Sequence, residues 1–79
     1  PVPGAFFNFN GERYKVLKAE IGSGIGKIGE VLSDKLEIAC KNNQSIKVIE
    51  IQRQGKKSQK ISEFMLGSQI KKGSVILNV

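Results

Sequence analysis

Two stretches of this sequence have residue types and spacing that suggest chemistry. Gly24-Ile25-Gly26-Lys27-Ile28-Gly29 fits the G-x-G-x-x-G string. In a dinucleotide-binding fold such glycines bring backbone amides and a helix N-terminus up to a pyrophosphate. Here Glu30-Val31-Leu32-Ser33-Asp34 follows, which reads as a strand ending in a turn, where a βαβ unit needs a helix. The stretch is therefore read as an inter-strand loop in which Gly29 relieves crowding at a bend. The second stretch runs from Arg53 to Lys60 and holds Arg53, Lys56, Lys57 and Lys60 with no acidic residue. A basic surface loop is often no more than a solvated face. Here Arg13, Lys15 and Lys18 on one expected strand, and Lys71-Lys72 further on, add to it, while the acids are spread singly. The whole is the electrostatic footprint of a polyanion-binding surface, whose affinity falls with salt because each neutralised phosphate releases counterions.

The rest of the composition narrows the chemistry. There is no histidine, which removes the usual general base near neutral pH and every Ser-His or Cys-His nucleophile arrangement. The single cysteine, Cys40, has no disulfide partner and no companions for a zinc site, so it is expected to be a small buried hydrophobe in a protein suited to a reducing compartment. A chain of 79 residues folds as one domain with a thin core, burying ~60% of its unfolded surface. It has no room for a deep two-substrate cleft, and catalysis by this chain alone is not expected. No apolar run approaches the ~18 residues of a membrane span. Pro1-Val2-Pro3-Gly4 lacks the basic and apolar regions of a signal peptide and reads as the end of a linker, leaving residues 5–79 as the domain.

Positioning the basic residues falls to short runs of alternating apolar residues, separated by Gly, Asn, Asp and Ser at intervals of roughly eight to twelve, the pattern of a small all-β barrel or sandwich. Six strands are expected. About Ala5 to Phe9 meets about Arg13 to Glu20 across Asn10-Gly11, a pair suited to the positive φ of a type I′ turn. The inward parity changes between Val16 and Leu17, which predicts a bulge near Val16 to Lys18. Strands of about Lys27 to Leu32 and Lys35 to Ala39 flank a Ser33-Asp34 turn. Lys41 to Gln44 turns into Ser45 to Gln52, where Ile46 and Val48 give way to Ile49 and Ile51 in another parity switch. Ser62 is expected to cap a short helix over Glu63 to Leu66, with Gly67 as a left-handed stop and Ile61, Phe64 and Met65 as its buried stripe. A strand of about Ser74 to Asn78 closes the sheet. Phe7 and Phe9 share a face and are expected in the core, whereas Phe6 and Tyr14 remain open between core and surface. No aromatic is interleaved in the basic loop, so contacts to a nucleic-acid backbone are expected rather than base readout.

The ordered set Gly11-Glu-Arg-Tyr-Lys-Val-Leu-Lys-Ala19, Ile49-Glu-Ile-Gln52, Gly55-Lys56-Lys57, Ile61-Ser62, Phe64, Leu66-Gly67 and Lys72-Gly73 resembles the C-terminal domain of methionyl-tRNA formyltransferase over nearly the whole chain. The resemblance implies a Greek-key, OB-like barrel joined by a linker to an N-terminal domain that binds 10-formyltetrahydrofolate and carries the catalytic residues. It implies that the present chain holds initiator Met-tRNA by its phosphates, a proximity contribution to catalysis, in a monomeric cytoplasmic enzyme. Lys15, Lys18, Lys56 and Lys57 take the basic-surface role from matching positions. Arg13, Arg53 and Lys60 join them on charge alone. The Gly22 to Gly26 stretch departs from the family's Pro-Gly turn. Two other roles stay open: the same domain in a relative acting on a small molecule such as a sugar nucleotide, and a module docking an acidic protein.

Overall fold

The computed structural model describes residues 5–76, so Pro1–Gly4, read as linker, and the Leu77-Asn78 end of the last expected strand lie outside the described residues. Five antiparallel strands and one helix follow one another: β1 (Phe6–Phe9), β2 (Glu12–Gly22), β3 (Glu37–Ala39), β4 (Ser45–Arg53), β5 (Ser58–Lys60) and α1 (Ile61–Gly67). The fold is the all-β, OB-like class expected, a curled sheet of order β1-β2-β4-β3 with β5 also on β4. The first hairpin turns on Asn10 (φ 50°) and Gly11 (φ 79°), both in the left-handed region that a type I′ turn requires.

The long β2–β4 ladder carries both parity breaks. Val16 faces Ile51, Lys18 faces Glu50 and Ala19 faces Val48, so Leu17 is extra on β2 and Ile49 is extra on β4. The two bulges offset one another. Each strand bends, yet Tyr14, Val16, Ile46, Val48 and Ile51 all stay inside, because the slip on one strand restores the register lost on the other. With Phe7, Val31, Leu36, Ile38, Phe64, Ile70 and Ile76 they make one core, against which Phe9 and Cys40 pack from its edge. Burying each such Ile or Phe contributes about 1.5–3 kcal/mol.

Several expected elements differ. Residues Lys27 to Leu32 form no strand of their own but two isolated bridges, Glu30 to Val75 and Val31 to Ile38. The cause is Gly29. Its N–H and the carbonyl of Glu30 both pair with Ala39, at 2.8 and 2.9 Å, so two residues oppose one and the ladder breaks at a glycine-led bulge. Likewise Ser74 to Ile76 contributes Val75 as a bridge rather than a full strand, and Ile76 N–H donates to Gly29 at 2.7 Å. The Ser33-Asp34 turn extends to Leu36, a buried residue at φ 58°, and β3 starts only at Glu37. Conversely, Ser58–Lys60, expected to lie in the basic loop, is β5. The helix begins at Ile61 rather than after Ser62. Its N-cap is Lys60 with no capping side chain, and the chain leaves it through Ser68 in an extended conformation, so Gly67 is no left-handed stop. Phe64 is buried with Ile61 and Met65 beside it, the stripe expected.

The glycine-rich loop has a structural task. A Cβ at Gly22 would stand 2.5 Å from Glu37 Oε2, one at Gly24 2.7 Å from the same oxygen, and one at Gly26 2.6 Å from Glu30 Oε1. Alternate glycines thus lay the backbone flat against two carboxylates. Glu37 Oε2 accepts from Ser45 Oγ at 2.6 Å and from Gly24 N–H at 2.8 Å, and these bonds hold its carboxyl below the usual range.

Gly29→Ala adds a methyl that collides with the Ile76 carbonyl at a φ of 88°, whereas Gly55→Ala, at φ 80°, meets open space. Urea unfolding should show a loss of about 3 kcal/mol or more for the first and about 1 kcal/mol for the second. Because the folded-state value of Glu37 is lowered, its stabilisation is present above the ordinary glutamate range and fades as pH falls through the lower folded value. Glu37→Gln should therefore lose less stability than wild type between neutral pH and pH ~3. Parallel urea midpoints with the same acid dependence would refute the assignment.

Candidate nucleic-acid interface

The basic residues gather where β2 begins, β4 ends and the β4–β5 turn crosses between them. Gln54 N–H donates to the Arg13 carbonyl at 2.9 Å, which pins the turn to β2. Lys56 N–H closes back on the Arg53 carbonyl at 2.9 Å, and Gln52 Nε2 donates to the Lys56 carbonyl at 3.0 Å. Gly55 supplies the positive φ of 80°. The cations at this turn are thus carried on fixed backbone.

The turn separates two concavities. On one side a cleft of about 740 Å3 is lined by Arg53, Lys56 and Lys57 together with Tyr14, Glu12 and Glu63. Tyr14 is buried, stacked on Phe7 at 5.2 Å between ring centroids and met edge-on by Phe64 at 5.5 Å, which settles it as a core residue whose ring also lines this cleft. Arg53 Nε lies 3.8 Å from Glu12 Oε1, a half-exposed pair that contributes little to stability but draws part of the positive charge inward. Burial pushes the Tyr14 hydroxyl above its usual value, against the Arg53 cation, which pulls it down, while Glu12 adds to the rise. On the other side a smaller cavity of about 290 Å3 is lined by Phe6, Arg13, Lys15 and Gln52 with the turn residues Gln54 and Gly55.

Of the seven cations singled out in the sequence, Arg53, Lys56 and Lys57 line the first cleft, and Arg13 and Lys15 the second. Lys18 and Lys60 stand apart from both. They lie opposite Glu50 from its two neighbouring strands, so an acid sits between them. Lys71 and Lys72, exposed before Ser74, line neither cleft. The acids Glu12 and Glu63 were not singled out in the sequence; charge counting along the chain gives no sign that they share a cleft with the lysines. Cys40 is partly buried, and burial raises its thiol, the character of a packing residue rather than a nucleophile. Among the described residues no cluster of three metal-ligating side chains occurs, and no helix is long and apolar enough to cross a membrane.

The chain contains one tyrosine, so alkaline absorbance reads Tyr14 alone. Its titration should lie above the ordinary tyrosine value, move further up in Arg53→Ala and move down in Glu12→Gln. A Tyr14 curve indifferent to both substitutions would show that this charge cluster does not exist in solution.

Residues 1–69 match the model of the family described as formyl transferase, C-terminal domain. The chain is 68% identical over 79 residues to a methionyl-tRNA formyltransferase of Pelagibacter ubique, covering all of this chain and 26% of that protein. It is 42% identical over 76 residues to the methionyl-tRNA formyltransferase of Paramagnetospirillum magneticum, covering 96% of this chain and 25% of the relative. With that of Sphingopyxis alaskensis it shares 43% over 79 residues, covering 94% and 26%. The chain thus spans about a quarter of the length of the curated relatives it matches.

Proposed function

The chain belongs to the formyl transferase C-terminal domain family, and from that premise we propose that it holds initiator Met-tRNA by its phosphates for a separate N-terminal domain of a longer, monomeric, cytoplasmic enzyme. In this reading residues 1–4 end the linker and residues 5–79 form the binding domain. The N-terminal domain transfers the formyl group from 10-formyltetrahydrofolate to the methionyl amino group. That cofactor is assigned to the N-terminal domain.

The observation that carries the reading is the meeting of Arg53, Lys56 and Lys57 in one cleft, with Arg13 and Lys15 across the same turn. Cations on a pinned turn match a phosphate backbone better than cations on a loose loop, because less freedom is lost on binding. The net charge of +6 supplies the long-range attraction. The chain's contribution to rate is positional: holding the tRNA turns an encounter of two molecules into a reaction within one complex. Lys18 and Lys60, each opposite Glu50, are assigned the weaker outer part of the surface.

Replacing Lys56 and Lys57 together with Ala should weaken tRNA binding by similar factors for all tRNAs. It should also flatten the slope of log affinity against log salt by up to ~2, at about −0.9 per duplex phosphate. Fluorescence anisotropy at several salt concentrations measures both. Binding that ignores salt, or that the double substitution leaves intact, would sink the proposal. No tRNA affinity even at low salt would favour a small-molecule substrate for the longer enzyme.

A further inference from the structure

Phe6 is out of place for a packing residue. Alternation along β1 sends Phe7 into the core and Phe6 to the outer face, where it is 47% exposed. It stands directly opposite Lys15 on β2, with Arg13 the next outward residue along. Arg13 Cζ lies 4.9 Å and Lys15 Nζ 5.8 Å from the centroid of its ring, both over the ring. The result is a half-exposed aromatic ring with two cations over it, at one side of a cavity whose other wall is the β4–β5 turn. None of the side chains lining that cavity is acidic. Its volume of about 290 Å3 is at the lower edge of small-ligand sites.

We propose that this cavity takes one unpaired nucleobase of the bound RNA, stacked on the Phe6 ring and Arg13 guanidinium, with Lys15 on an adjoining phosphate. The chemistry follows from the parts. A base has a flat π-face that stacks on an aromatic ring or a guanidinium plane, and its own phosphates supply the anions that neighbouring cations require. A paired base shows no free face, so the cavity selects nucleotides outside helices. This goes beyond the phosphate contacts read from charge alone, and it rests on the RNA-holding reading above.

The test compares two RNAs of equal phosphate number, a short oligoadenylate and a blunt duplex, titrated against the full chain at low salt. Phe6→Leu keeps an apolar residue at an exposed position and so leaves the core intact. It should weaken oligoadenylate binding at least about fivefold, the lower end of what one base stacked on an aromatic contributes, and leave duplex binding within twofold. The chain has no tryptophan, so Phe6→Trp installs a single reporter whose emission should be quenched by oligoadenylate and not by duplex. If wild type binds neither RNA, the RNA-holding reading falls and the stacking site with it. If it binds both, and Phe6→Leu weakens them equally or not at all, or the tryptophan is not quenched, the stacking site alone is overturned.

Discussion

The ladder between β2 and β4 is the constraint on which this molecule depends. β4 is the only described strand with three partners: β2 along one edge, and β3 and β5 sharing the other. A flat β2–β4 pair would present its apolar residues to a single plane, which a helix of seven residues cannot cover. Leu17 and Ile49, each extra on its own strand, let the pair curl while returning to register. The curl brings Phe64, Ile70 and Ile76 onto the same core as Phe7 and Val31. Without the extra residue on β4, alternation from Ile51 would turn Val48 and Ile46 to the outer face.

The basic end of the domain is a by-product of the same ladder. Because β4 outruns β3 and continues beside β2 to Arg53, its end and the turn that follows lie beside the start of β2. Arg13 and Lys15 on the outer face and Arg53 near Tyr14 are thereby set on either side of a single turn. The charge is not evenly free: Glu12 draws on Arg53, and Glu50 stands between Lys18 and Lys60. The surface is therefore patterned, free of acids in the cavity of Arg13 and Lys15 and partly offset elsewhere.

What was legible in the sequence was local. Asn10-Gly11 announces its turn because few other pairs tolerate two positive φ values in succession, and the parity breaks at Val16-Leu17 and Val48-Ile49 announce the bulges because apolar side chains must stay inside. β5 was not legible. Ser58, Gln59 and Lys60 are all exposed, so no alternation marks them, and their pairing is dictated by the turn that delivers them to the edge of β4. Lys27 to Leu32 misleads for the opposite reason: its apolar pattern is strand-like, but Gly29 breaks the ladder from within. The reason for the alternate glycines, a backbone pressed against the carboxylates of Glu37 and Glu30, is tertiary and invisible in one dimension. At the site, the basic residues were legible as a charge excess, while their division by a turn and the company of Phe6, Glu12 and Glu63 were not.

The separation in sequence between β2 and β4 also governs how the molecule comes into being. A chain leaving the ribosome can close the β1–β2 hairpin at once, but that hairpin stays without its main partner until the loop, β3 and β4 have been made. Pairings between distant segments are slow because loop-closure entropy is spent before contacts repay it. During that interval the long edge of β2, with Val16 and Tyr14 uncovered, is the surface most open to wrong association. Its outward row of Arg13, Lys15 and Lys18 then acts as a guard, since like charges repel a second nascent strand that approaches edge to edge.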